Sequence, residues 1–157
     1  MSNQEVAYMT DSIIKTIEIA APGEKVWDAL IDHEKFGAWF QVALDQPFVV
    51  GQITTGRMTY PGYEHFPWES RTVAIEPMTR FAFEWPATGG DADAIRSGVP
   101  EWTLVEFLLQ PIAFGTKLVV TESGFDKVPE PRRTHVMRSN DGGWAEQVQN
   151  IRRHVEG

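Results

Sequence analysis

The stretch Asn140–Val155, NDGGWAEQVQNIRRHV, decides the fold. At helical spacing Trp144, Val148, Ile151 and Val155 fall on one stripe of an α-helix, while Glu146, Gln149, Asn150, Arg152 and Arg153 lie mostly off it. Ser139, Asn140 and Asp141 offer oxygens to cap the first free N–H groups, and Asp141 suits the positive end of the helix dipole. Gly142 and Gly143 weaken that first turn. About sixteen residues at 1.5 Å each make a rod of roughly 24 Å, the width of a sheet crossed by one helix. So narrow an apolar stripe needs one broad partner surface, and the strands upstream supply it.

With 157 residues the chain makes one domain, 1–157, large enough for a true core. Apolar residues at 42% and charged residues at 23% are those of a soluble globular protein, and six Trp with nine Phe point to a voluminous aromatic interior or pocket. No run reaches the length of a membrane span, and an N-terminus with Glu5 and no basic flank is not expected to be a secretory leader. The absence of Cys removes disulfides, thiolate chemistry and Cys-based metal sites, and cytoplasmic residence is the expectation. A formal charge of −8 argues against nucleic acid and anionic membrane surfaces as partners.

In chain order, residues 1–10 lack periodicity and are expected to fray. Asp11–Ala20 alternates as a half-buried strand, with Ile13, Ile17 and Ile19 on one face. Pro22 suits a first helical position, Val26, Trp27, Leu30 and Ile31 form a helical face, and a second short helix covers Glu34–Trp39. Strands are expected at Gly51–Tyr60, Trp68–Ile75, Arg80–Trp85, Glu101–Gln110 and Thr116–Glu122, with a turn at Tyr60–Tyr63. Pro86–Pro100 reads as a long polar loop and Ser123–Arg138 as a second polar connection. The sum is α+β: a curved antiparallel sheet wrapping one long C-terminal helix, with two short helices. Curvature leaves room for a cavity between sheet and helix.

Certain pieces resemble a known family. Ile17–Pro22, Val26–Leu30 and Trp39-Phe40 are similar to the opening of the SRPBCC, or START-like, helix-grip superfamily. Ile75–Pro77 followed by Phe81–Trp85, then Gly115–Leu118, Thr121–Phe125 and Gly143-Trp144, resemble the branch related to the activator of the 90-kDa heat-shock-protein ATPase. The likeness runs from Ile13 to Val155. It implies a sheet of about six to seven strands, two small helices and a long C-terminal helix enclosing an apolar tunnel. It does not imply one reaction, since such families include lipid and hormone binders, polyketide cyclases and co-chaperone domains tied to the stress response. The Pro86–Pro100 loop, longer and more acidic than the usual connection, departs from the pattern at the expected pocket mouth.

With that resemblance, Trp39, Phe40, Phe81, Phe83, Trp85, Trp102, Phe107, Trp144 and Val148 become the expected lining of a ligand cavity, although any one of the aromatics alone reads first as core. Glu122 shares a strand face with Leu118 and Val120; desolvation there would make it an acid or base, whereas the turn at Ser123-Gly124 favours a capping role. Glu106 lies on a strand apolar on both faces, so its direction is open. His65, beside Glu64, is a weaker catalytic candidate. His33-Glu34 lacks the second His of a zinc helix, so neither metal nor cofactor is expected, and Arg132-Arg133 and Arg152-Arg153 read as solvated surface. The expected function is binding of an apolar or amphipathic small molecule by a monomer or homodimer. The alternatives are a co-chaperone-like module engaging a heat-shock ATPase, and a cyclase- or hydrolase-type enzyme using the same cavity.

Overall fold

The computed structural model describes residues 12–157, so the expectation for residues 1–10 lies outside the described residues. The chain runs β1 (Ser12–Ile19), α1 (Gly23–Ile31), α2 (His33–Phe40), β2 (Val42–Leu44), β3 (Ile53–Met58), β4 (Pro67–Glu76), β5 (Arg80–Pro86), α3 (Ala92–Ser97), β6 (Trp102–Ile112), β7 (Gly115–Ser123) and α4 (Arg132–Glu156), with a 3-10 turn at Phe125–Lys127. The strands form one seven-stranded antiparallel sheet in the order β1-β7-β6-β5-β4-β3-β2. One face of the sheet carries the core together with α4 and the helix pair, giving the α+β helix-grip arrangement.

Period-two alternation positions the inner face. On β6 Thr103, Val105, Phe107 and Leu109 are buried, and on β7 Thr116, Leu118, Val120 and Glu122 are. On β1 the inward residues are Ile13, Ile17 and Ile19. A register shift between Thr72 and Ala74 interrupts the β4–β5 ladder, a bulge of the kind that bends a strand. Helix α2 is capped by Asp32, whose carboxylate accepts from the Glu34 and Lys35 N–H groups at 2.9 and 3.0 Å. Gly37 lets α2 lie close on β2, since a Cβ there would stand 2.3 Å from the Val42 carbonyl oxygen. That approach drives Phe36, Trp39 and Phe40 into the core.

Three expectations are corrected. The closing helix is 25 residues long, beginning at Arg132 rather than near Asn140. Val136 extends its buried stripe by two turns, and the Glu130 carboxylate accepts from the Thr134 N–H at 3.0 Å, doing at the true N-terminus what Ser139–Asp141 were expected to do. Those three side chains instead make long-range contacts: Ser139 Oγ donates to the Gly89 carbonyl, Asn140 to Glu122, and Asp141 pairs with Lys15. The Pro86–Pro100 segment carries α3, whose Asp91 cap accepts from Asp93 N at 2.8 Å. Arg132 and Arg133 are not solvated surface: Arg132 donates to the Ala87 carbonyl at 2.6 Å and pairs with Glu101, and Arg133 donates to the Val128 carbonyl at 2.8 Å. Short β2 also lacked enough residues to show a period.

Candidate functional site

The middle of the sheet–helix space is solid. Phe36, Phe81, Phe83 and Phe107 are fully buried and touch ring to ring, Phe36 meeting Phe83 at 6.3 Å and Phe107 at 6.4 Å, with Phe81 stacked on Phe107 at 5.8 Å. Trp39 belongs to this core as well, its Nε1 donating to the Ala29 carbonyl at 2.8 Å. Val148 packs with it on α4.

Space opens towards the first half of α4. A pocket of about 480 Å3 lies between Ser139–Gln147, the β3–β4 hairpin and the segment around α3. Its floor is Phe40, Trp68, Trp85 and Trp144; Tyr63, Phe66 and Pro67 form one rim, and Ala94, Ile95, Val99 and Trp102 the other. Four of the expected lining residues (Phe40, Trp85, Trp102 and Trp144) meet at this pocket, while Trp39, Phe81, Phe83, Phe107 and Val148 do not line it. Trp68, Phe66, Ile95, Asn140 and Gln147 line the pocket without having been expected to, Asn140 having been read only as a cap and Trp68 only as the start of a strand. Trp68 begins an alternating strand, and Ala94-Ile95 follows a capping Asp, so both left faint signals.

Beneath the floor sits Glu122, with no solvent exposure. Trp85 and Trp144 donate their indole N–H groups to it at 2.9 Å each, Thr103 its hydroxyl at 2.6 Å, and Asn140 its amide nitrogen at 3.0 and 3.1 Å. Burial lifts the carboxyl above the ordinary glutamate value of 4.5, and the bonds from Thr103, Trp85, Trp144 and Asn140 pull it back. Among these donor atoms only the Thr103 hydroxyl oxygen can also accept, so a proton on this carboxyl would reverse that one bond, with Oε2 donating to Thr103 Oγ1. The capping role expected for Glu122 is therefore corrected: its partners are side chains from β5, β6 and α4 rather than turn N–H groups. Its effect on the pocket is to fix the two indoles and the amide that form the wall.

The other acid–base candidates stand apart. Glu106 is on the outer face of β6, bound by Arg80 Nε at 2.7 Å. His65 is exposed on the hairpin, edge-on to Phe66 at 4.6 Å. Neither lines the pocket. Among the described residues no three His, Cys, Asp or Glu gather as a metal site would require, and no helix is long and apolar enough to cross a membrane.

The comparisons agree with this architecture. The family model for "Activator of Hsp90 ATPase homolog 1-like protein" matches residues 20–156. The chain belongs to that family. Among solved structures, a protein from Arthrobacter aurescens has a TM-score of 0.75 at 17% identity, covering 93% of this chain and 86% of that one. A Mesorhizobium loti protein has a TM-score of 0.72 at 20% identity, over 92% and 96% of the two chains. The Aha1 dimer of Colwellia psychrerythraea has a TM-score of 0.66 at 18% identity, again over 92% and 96%. At such identities the likeness is one of fold. No curated protein matches the chain in sequence.

Proposed function

We propose that this family member binds a small apolar or amphipathic molecule in the pocket beside α4. The observation that carries the reading is a space of about 480 Å3, the size of a small-molecule site, walled by indole and phenyl rings. A second feature supports it. Gly142 and Gly143 stand inside a helix, where glycine costs about 1 kcal/mol relative to alanine, yet a Cβ at either would meet nothing within 4 Å. Packing does not demand them, and Gly143 lines the pocket, so its missing side chain keeps volume open.

A ligand at a hundred times its Kd adds about 2.7 kcal/mol to folding stability, a rise in Tm of roughly 5–10 °C for a chain of this size. Thermal denaturation against a library of hydrophobic compounds should find such ligands, and Gly143→Leu, whose Cβ would meet nothing within 4 Å and whose side chain would take up part of the space, should abolish the response while the fold persists. Undiminished stabilisation in that variant would overturn the proposal. The family description favours a second reading, engagement of a heat-shock ATPase through the outer surface. Gly143→Leu would leave that activity intact, so chaperone ATPase stimulation by wild type and variant alike would support it.

A further inference from the structure

The pocket's lining has a charge bias as well as a size. None of its residues is Lys, Arg or His, and Glu69 is the one that carries a charge. The chain as a whole stands at −8. The positive N–H edges of Trp85 and Trp144 are both spent on buried Glu122, so the pocket meets the carbon framework of these rings. The rings stand at steep angles, 67° for Trp68 with Trp85, 68° for Phe40 with Trp85 and 84° for Phe40 with Trp68. They therefore pack edge to face and make an aromatic corner at the pocket floor. Asn140 gives its amide nitrogen to Glu122, and its oxygen, an acceptor, has no partner among the described residues.

An anion in this space would gain only from neutral donors such as the Tyr63 hydroxyl and the Trp102 indole N–H, and would meet aromatic rings and an unpartnered amide oxygen with no counter-charge. A cation would find the rings and the amide oxygen favourable, because the quadrupole of an aromatic face attracts positive charge. Resting on the reading of the pocket as a small-molecule site, we infer that its ligand carries an ammonium group on an apolar body and that carboxylates of the same shape are rejected. The chain's net charge of −8 attracts the same class of molecule to the protein.

Calorimetric titration with three probes of one shape tests this: adamantyl-trimethylammonium, adamantanemethanol and adamantane-carboxylate. The ammonium should bind about tenfold more tightly than the alcohol, and the carboxylate most weakly. Ile95→Lys places a positive charge in the lining on a half-exposed helix position and should reverse the order of ammonium and carboxylate. If the alcohol or the carboxylate binds as tightly as the ammonium, the charge inference is overturned while the pocket stands as a binding site. If none of the three binds and none raises Tm, the binding reading falls and the inference with it.

Discussion

Beneath α4, Phe36, Phe81, Phe83 and Phe107 fill one region completely, while Trp68, Trp85, Trp102 and Trp144 border a region left open. Both are aromatic and both belong to the sheet–helix interface. Phenyl rings have no polar atom, so they close on one another without condition. An indole must satisfy its N–H when buried, and here Trp85 and Trp144 do so through one carboxylate, while Trp68 donates to Ser70 Oγ at 2.9 Å. Hydrogen bonds that fix a ring's position keep it from collapsing into adjacent space. The open region is thus a polar construction faced with apolar carbon, and the closed region is simple packing.

That contrast can be broken most forcefully in the closed region. Phe83→Ala should destabilise the fold by about 3–5 kcal/mol in urea denaturation, because a dense ring cluster cannot relax into the vacancy. Trp102→Ala, at the half-exposed rim, should cost well under half as much. Equal losses would mean that the pocket wall is packed like the core.

Next in size is the carboxylate under the wall. Glu122→Leu strands the donors of Trp85, Trp144, Thr103 and Asn140 and should cost about 3 kcal/mol, with changed tryptophan fluorescence. The pH dependence has a definite sign. Burial raises Glu122 in the folded chain above 4.5, so the folded state keeps a proton that the unfolded state has released. This group's contribution is therefore most favourable below pH 4.5, declines as pH rises towards the folded value, and is level beyond it. Glu122→Gln should remove that decline, so the stability difference between variant and wild type should shift in the variant's favour from acid to neutral pH. Asp32 and Glu130, whose carboxyls are lowered, tilt stability the other way but do so in both proteins. A difference constant with pH would show that Glu122 titrates as in the unfolded chain.

The smallest effect sharpens the reading of α4. Gly142→Ala should stabilise the helix by about 0.5–1 kcal/mol and leave ligand response unchanged, because Gly142 does not line the pocket and nothing crowds it. A loss of response would extend the site along the helix.

Much of the fold was legible because its signals are local. Alternation marked β1, β5 and β7, a continuous apolar run marked β6, and Val26, Trp27 and Leu30 marked the buried face of α1. The start of α4 was misread because Gly142-Gly143 resembles a weak beginning, whereas the helix starts at Arg132, two turns earlier, where the Glu130 carboxylate takes the Thr134 N–H. Glu106 could not be oriented from a strand apolar on both sides; the structure turns it outward to Arg80.

The sequence by itself determined the curved sheet, the closing helix and the wealth of aromatic rings, since periodicity and composition are properties of neighbours along the chain. Only the tertiary structure decided which rings fill and which surround, because that depends on partners far apart in sequence. Glu122 draws Trp85 across 37 positions, Thr103 across 19 and Trp144 across 22, and no local pattern encodes such a meeting. The pocket exists where those three segments converge, and strand register and the path of α4 fix that place together.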